Sequence, residues 1–197
     1  MPGTTVSRLA WLGKAAVLAM LLFAATHTEY DRFAGKAMAG RAVAYPLALL
    51  IIPAVWWFWR RSRPYPALAD LLVTLPFVVD VGGNCLDLYD RIDRFDDACH
   101  FGNWAMLLGA LAVSLPPSLP EAAQLGLVAG LGSTTALLWE LMEYETFIKG
   151  GTELDTAYTD TLGDMTLGTI GATLAGLLVL WLRRRSATDA GRRPGTR

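Results

Sequence analysis

The sequence contains few charged residues and few cysteines for its length. Only 18% of the 197 residues are Asp, Glu, Lys or Arg, whereas 53% are hydrophobic. A composition this apolar argues against a soluble domain. Cys85 and Cys99 are too few for a disulfide framework; two small buried residues are favoured, with one bridge between helix ends as the alternative. The net charge of −1 gives no reason to expect a nucleic-acid partner.

Several catalytic motifs are also missing. HExxH, GxSxG, a P-loop and GxGxxG do not occur in the sequence, which excludes the enzyme classes that these signatures identify. The Glu-x-x-His pairing of ferritin-like di-iron bundles is absent too. No repeat of 20–50 residues is visible. A catalytic site would therefore have to be assembled from residues on separate segments.

Apolar runs of about 20 residues dominate the chain, and this is the length that crosses a bilayer core. They predict an all-α, polytopic membrane helix bundle with about six transmembrane helices. A cleaved signal peptide is the alternative for the first run, but the five later runs favour a retained helix. We expect one integral membrane domain over residues 1–185 and a disordered cytoplasmic tail over 186–197. The runs are 9–27, 42–59, 67–87, 96–115, 121–148 and 160–182.

Arginine clusters predict the orientation of these helices. One cluster follows the second run at residues 60–63 and another follows the sixth at 183–185. Basic residues favour the cytoplasmic side, so both termini are predicted to be cytoplasmic, in a bacterial-type inner membrane. All acidic residues except Asp70, Glu121 and Asp189 then fall at or near the outer ends of the helices.

Four of the predicted helices bring ionisable side chains to one layer beneath the outer surface, as judged from a rise of about 1.5 Å per residue. Carboxylates favour Mg²⁺ or Ca²⁺, and an added imidazole favours Zn²⁺, Mn²⁺ or Fe²⁺. The layer therefore predicts a divalent-metal site. The predicted metal ligands are Glu140, Glu143, Asp160 and Asp164, the catalytic residues are His100 and Asp97, and the supporting residues are Asp80, Asn84 and Asp87.

Structural roles are the alternative for many of these residues. His100 could donate a hydrogen bond to a carbonyl or to a neighbouring carboxylate, as a purely structural contact. Glu140 and Glu143 are harder to explain in this way, because acids at membrane depth are costly unless they are functional or paired. Gly168 and Gly171 indicate close helix packing rather than substrate contact.

Three ordered motifs and a closing tripeptide resemble the YjdF family of inner-membrane proteins and, more distantly, VanZ-like proteins. The resemblance covers about residues 87–172 and implies the helical architecture and the position of a site, without implying a reaction. The motifs are Asp-Arg-Phe-Asp-Asp-Ala-Cys-His-Phe-Gly (93–102), Trp-Glu-Leu-Met-Glu-Tyr (139–144), Asp-Thr-Leu-Gly-Asp-Met (160–165) and Ile-Gly-Ala (170–172). The positions carried over are His100, Glu140, Glu143, Asp160 and Asp164.

Three functions fit this pattern. The first is an outward-facing, metal-dependent hydrolase or transferase that acts on a lipid or envelope substrate, with the cation activating water and His100 moving a proton. The second is a structural or stress-related membrane protein whose acidic cluster holds the bundle together. The third is a cation- or proton-coupled transporter, against which stand the missing inverted repeat and the lack of acids deep in the cytoplasmic half. The bilayer is the one certain partner, and the oligomeric state stays open.

Overall fold

The structure is a computed structural model that describes residues 2–192, and within this range the chain forms helices and turns without any strand. The all-α prediction is therefore confirmed. Turns of π-helix extend two elements, at Trp56–Arg60 and Tyr144–Ile148. The α-helices are α1 (Pro2–Thr26), α2 (Met38–Leu49), α3 (Ile51–Val55), α4 (Ala67–Cys85), α5 (Leu88–Arg91), α6 (Phe95–Ser114), α7 (Glu121–Glu143) and α8 (Ala157–Arg192).

Five helical segments are long and apolar enough to cross a membrane. They correspond to five of the six predicted spans, so the protein is a polytopic helical membrane protein in a lipid bilayer environment. The remaining predicted span, the fourth (96–115), is α6, which differs because Asp96, Asp97, His100 and Asn103 all lie in its first half and lower its hydropathy. The candidate spans are Thr4–Thr26, Met38–Arg60, Ala67–Cys85, Glu121–Thr146 and Ala157–Asp189.

Helix α6 nevertheless runs parallel to α8 and contacts it from the beginning of α6 to its end. Near its beginning, His100 lies beside Asp164 of α8. Near its end, the Arg183 guanidinium of α8 donates to the carbonyls of Ala112 and Val113 at 3.1 and 3.2 Å. In the polar half of α6, His100 is buried against α7 and α8, which explains how the helix tolerates an imidazole there. The two ends of the described chain then share one side, while the assignment of that side to the cytoplasm stays a prediction.

Two helix groups build the bundle, and α4 packs against α6 to join them. In the first group, α1, α2 and α4 bury an apolar cluster that includes Val17, Tyr45 and Val81. In the second, α6, α7 and α8 bury a cluster that includes Leu108 and Val128. Candidate site residues come from both groups, so the contact between α4 and α6 determines how they meet.

Glycines let α6 and α8 approach closely, as the sequence predicts. A Cβ atom added at Gly171 would lie 2.2 Å from the carbonyl oxygen of Phe101. One added at Gly168 would lie 2.5 Å from the Trp104 ring. Small residues at a membrane helix interface allow this backbone contact. It places the beginning of α6 directly against α8, at the level of His100.

The second span is interrupted between α2 and α3. Proline lacks an N–H, so Pro53 cannot bond the carbonyl four residues earlier, which belongs to Leu49. Helix α2 ends at Leu49, and α3 begins at Ile51. Proline therefore breaks this segment, in agreement with the composition of the run.

Helix α8 continues through Arg192 and so includes residues 186–192 of the tail predicted to be disordered. Residues 193–197 lie outside the described range, and the boundary of the membrane domain stays a prediction. Extending an existing helix requires no new nucleation, and Arg and Ala are good helix formers. Cys85 and Cys99 are free thiols, so the alternative of a bridge between them is not realised.

Candidate functional site

His100 lies where α6, α7 and α8 meet, and its side chain is only 7% exposed. Its Nδ1 atom lies 3.6 Å from Glu140 Oε1. Its Nε2 atom lies 3.7 Å from Asp96 Oδ1 and 3.8 Å from Asp164 Oδ2. The structure thus brings together His100, Glu140 and Asp164, which the sequence assigns to three separate helices.

Helix periodicity explains how each helix supplies its acids. Residues three or four apart lie on the same face of a helix. Asp96 and His100 are four apart on α6, and Glu140 and Glu143 are three apart on α7. We call His100, Asp96, Glu140, Glu143 and Asp164 the His100 cluster.

Two overlapping triads within the His100 cluster have the composition of a metal site. Asp96, His100 and Asp164 form one, and His100, Glu140 and Glu143 form the other. In each triad the potential ligand atoms lie within 4.8 Å of one another. An imidazole with two carboxylates suits several divalent transition metals. Either triad could therefore hold a cation.

Two atoms of the cluster are buried without a hydrogen-bond partner in the part of the chain that the structure describes. They are His100 Nδ1 and Glu140 Oε1, which face each other. A buried polar atom without a partner costs about 1–3 kcal/mol. Such a cost is rare in folded proteins and indicates an ion, a proton or a water at that point.

A cavity of about 90 Å³ connects the His100 cluster with α2 and α4. Trp104 and Trp139 give it apolar walls. A second cavity, of about 480 Å³, lies further out and shares Arg41, Tyr89, Asp96 and Glu143 with the first. The shared residues make the outer cavity a route of access to the cluster.

Asp80 lies in the wall of the inner cavity and has a full set of partners. Arg41 Nε donates to one carboxylate oxygen at 3.0 Å, and the Tyr45 hydroxyl donates to the same oxygen at 2.5 Å. The Tyr89 hydroxyl donates to the other oxygen at 2.9 Å. Burial, followed by the Asp80 carboxylate, raises the pKa of Tyr89, which keeps this phenol protonated as a donor. Asp80 is a compensated anion beside the cluster.

Asp97, predicted as a catalytic residue with His100, is not joined to the imidazole by an ion pair among the described residues. The Asp97 side chain is 47% exposed and lies 3.9 Å from Arg94 Nη1. Asp96, four residues before His100 on the same helix, supplies the carboxylate that lies 3.7 Å from the ring. The catalytic role of Asp97 stays a prediction.

Asp87 and Asp160 are also outside the cluster. Helix α4 ends at Cys85, and Asp87 adopts a left-handed conformation with φ 60°, so it does not continue the helical face of Asp80. Asp160 is exposed and lines the outer cavity. Asn84, predicted as a supporting residue, is buried, and its amide donates to the Asp80 carbonyl at 2.9 Å.

Arg41, Tyr45 and Tyr89 line the cavity but were not predicted from the sequence. A usable signal existed for the first two, because an arginine and a tyrosine four residues apart at the outer end of a span can meet one buried acid. Tyr89 follows the end of α4, and no sequence pattern directs it back toward Asp80.

A second polar cluster lies near the other end of α4. Lys14 Nζ is 2.6 Å from Asp70 Oδ1, and both side chains are at most 5% exposed. Lys14 also donates to Thr74 Oγ1 at 2.9 Å, and the Tyr65 hydroxyl donates to Asp70 Oδ2 at 2.6 Å. We call these four residues the Lys14 cluster. Asp70 is thus a buried acid in the predicted cytoplasmic half, which the sequence pattern did not indicate.

Comparison with known proteins gives one match. A family model described as "Predicted membrane protein (DUF2238)" matches residues 9–185. It covers the whole bundle, beyond the stretch of residues 87–172 that carries the motif resemblance. Neither any curated protein nor any solved structure is significantly similar to the chain.

Proposed function

Because the chain belongs to the DUF2238 family of predicted membrane proteins, which is the YjdF family, we propose that the His100 cluster is the centre of a metal-dependent membrane enzyme. The enzyme hydrolyses or transfers a group of a phosphate- or ester-containing lipid or envelope substrate. Its site faces outward from a bacterial-type cytoplasmic membrane. The family description itself names no reaction.

The unpartnered pair, His100 Nδ1 and Glu140 Oε1, is the observation that carries this proposal. A divalent cation between them would satisfy both atoms and would gain a third ligand in Glu143. This assignment moves Asp164 out of the predicted ligand set and leaves Asp160 outside it. A bound cation also offsets the cost of several acids at membrane depth.

Asp96 and Asp164 support this assignment from the other side of the imidazole. Both carboxylates lie within 3.8 Å of His100 Nε2. A histidine ligand commonly gives its second N–H to a carboxylate, which fixes the ring and the tautomer. The second triad would then orient His100 rather than hold a second ion.

The surroundings of the cluster suit an amphiphilic substrate. When bound, a divalent cation polarises a carbonyl or phosphoryl oxygen and lowers the pKa of water. Trp104 and Trp139 offer apolar walls to a hydrocarbon part of the substrate. Asp96 is half exposed and lines both cavities, so it can pass a proton outward.

Metal-dependent stability tests the proposal. We expect Mg²⁺, Mn²⁺ or Zn²⁺ to raise the unfolding temperature of the purified protein, and Glu140→Gln to abolish that rise. Glu145→Gln is the matched control, because Glu145 is 65% exposed and pairs with Lys149 just beyond the same helix. A metal-induced rise that survives Glu140→Gln would contradict the assignment.

An activity measurement separates the enzyme from the structural alternative. Release of phosphate or fatty acid from phospholipids in mixed micelles should require the cation and should be lost in Glu140→Gln. Metal binding without turnover of any lipid tested would favour a structural role for the same cluster.

A transporter finds less support. Asp70 is buried in the inner half, but it is already paired with Lys14. Asp80 in the outer half is likewise already paired, with Arg41. An alternating-access pathway would need polar groups free to bind cargo on both sides of the bundle.

A further inference from the structure

A large groove lies at the end of the bundle opposite the His100 cluster, where the arginine clusters predict the cytoplasmic side. It has a volume of about 660 Å³ and lies between α1, α3, α4 and the end of α6. Most of its walls are apolar. They include Val6, Ile52, Val55, Trp56, Leu68 and Val113.

Two arginines, Arg60 and Arg63, line the same groove. In the described part of the chain, no acidic side chain forms an ion pair with either guanidinium. Arg61 lies between them in sequence but stacks on the Trp57 ring at 5.0 Å and does not line the groove. The groove thus combines an apolar interior with two uncompensated positive charges.

Fixed contacts shape this groove before any ligand enters. The Trp56 indole N–H donates to the Arg63 carbonyl at 2.8 Å and so ties the π-helical turn that ends at Arg60 to the loop that carries Arg63. The Trp56 ring packs edge-on against Tyr65, with ring centres 5.3 Å apart. The Tyr65 hydroxyl is in turn bonded to buried Asp70. The groove wall is therefore anchored to the Lys14 cluster, and little ordering is required on binding.

We propose that this groove binds one anionic phospholipid of the inner leaflet, with an acyl chain between α1 and α3 and the phosphate between Arg60 and Arg63. Anionic lipids are concentrated in that leaflet and attract juxtamembrane arginines. The indole of Trp56 suits the level of the headgroups. The proposal is independent of the proposed enzyme, because the start of α4 is roughly 20 Å from Asp80 along the helix.

Lipid competition on the purified full-length chain tests the charge part of this proposal. Native mass spectrometry should show phosphatidylglycerol retained in preference to phosphatidylcholine. Each arginine near the surface contributes about 1 kcal/mol toward an anionic lipid, so Arg60→Gln with Arg63→Gln should reduce the preference roughly 30-fold. The matched control removes the same charge with Arg61→Gln and Arg185→Gln, since Arg185 stacks on Trp181. If the control variant loses the preference for phosphatidylglycerol equally, the lipid is attracted by surface charge in general and does not bind at Arg60 and Arg63.

A second variant tests the apolar part and keeps all charges. Val55→Trp should fill the groove and weaken retention of phosphatidylglycerol, while the unfolding temperature without lipid stays close to that of the wild type. Soluble glycerol phosphate should not compete. If glycerol phosphate displaces the lipid, or if Val55→Trp retains it fully, the groove does not hold an acyl chain.

Discussion

The buried acids of α4 and those of α7 and α8 have opposite surroundings. Asp70 is paired with Lys14, and Asp80 is paired with Arg41. Tyrosine hydroxyls donate to both of these carboxylates. Glu140 is equally buried, but in the described residues its only ion-pair partner is a histidine, and the same holds for Asp164.

This difference separates structural acids from candidate functional ones within one bundle. A buried acid with a cation and hydrogen bonds can hold two helices in register, and removing one partner is expensive. A buried acid opposite other acids destabilises the empty site, and it is retained where a ligand or a reaction needs it. Substituting a buried acid of α4 should therefore lower stability. Substituting a buried acid of α7 or α8 should instead change the response to a ligand.

Breaking the Lys14 cluster should have the largest effect on stability. Asp70→Asn leaves the Lys14 ammonium buried without a counter-charge, and we expect a loss of about 3–5 kcal/mol in unfolding free energy. Thermal or denaturant unfolding in detergent measures it. The double change Lys14→Met with Asp70→Leu removes both charges and should recover most of the loss. If the double variant is as unstable as Asp70→Asn, the ion pair is not the cause.

Removing the charge of Asp80 should cost less, because hydrogen bonds to the amide can persist. For Asp80→Asn we expect a loss of about 1.5–3 kcal/mol, the value of hydrogen bonds to a charged group. Asp90→Asn is the control, since Asp90 is 55% exposed and its pair with Lys36 should contribute at most about 1 kcal/mol. If both variants lose the same unfolding free energy, the buried pair of Asp80 is no more stabilising than the exposed pair of Asp90.

A substitution that pushes α6 away from α8 should disturb the acids around His100 and leave the acids of α4 unchanged. Gly171→Ala forces a methyl group against the Phe101 carbonyl, and overpacking of this kind costs about 1–3 kcal/mol. The cation-induced stabilisation should fall as well, because His100 adjoins Phe101. Gly163→Ala on the same helix meets no atom within 4 Å and should leave both stability and cation response intact. A normal cation response in Gly171→Ala would show that the site tolerates the shift.

Neutralising the His100 cluster should have the smallest effect on the protein without metal. Glu140→Gln removes one negative charge from a group of acids, so we expect a change in unfolding free energy within about 1 kcal/mol, toward greater stability. With a divalent cation at a hundred times its dissociation constant, the wild type should gain about 2.7 kcal/mol that the variant lacks. A large loss of stability in the metal-free variant would instead assign Glu140 a structural role.

Much of the fold was predictable because the hydropathy of each run and the positions of the prolines determine where the helices lie and where they begin. Helix α4 begins at Ala67 and α7 at Glu121, as predicted, since a proline stands immediately before each. The shared depth of His100, Glu140 and Asp164 was also predictable, because helical rise converts sequence position into height.

The pairing of side chains within that layer was not predictable. Which acids of other helices meet His100 depends on how α7 and α8 pack against α6, and the close approach of Gly171 to Phe101 sets this for α8. The partnership of Arg41 with Asp80 joins residues 39 positions apart. Such pairings depend on tertiary packing, which neither periodicity nor propensity encodes.

The polarity of α6 has a consequence for biosynthesis. A segment that begins with Asp96, Asp97 and His100 partitions poorly into lipid by itself, because a charged residue deep in a helix costs about 2.5–3.5 kcal/mol during insertion. Its stabilising neighbour α8 begins only at Ala157, after α7, and supplies the Arg183 side chain that donates to the last carbonyls of α6. We therefore expect α6 to be stable in the membrane only once α7 and α8 have been inserted with it.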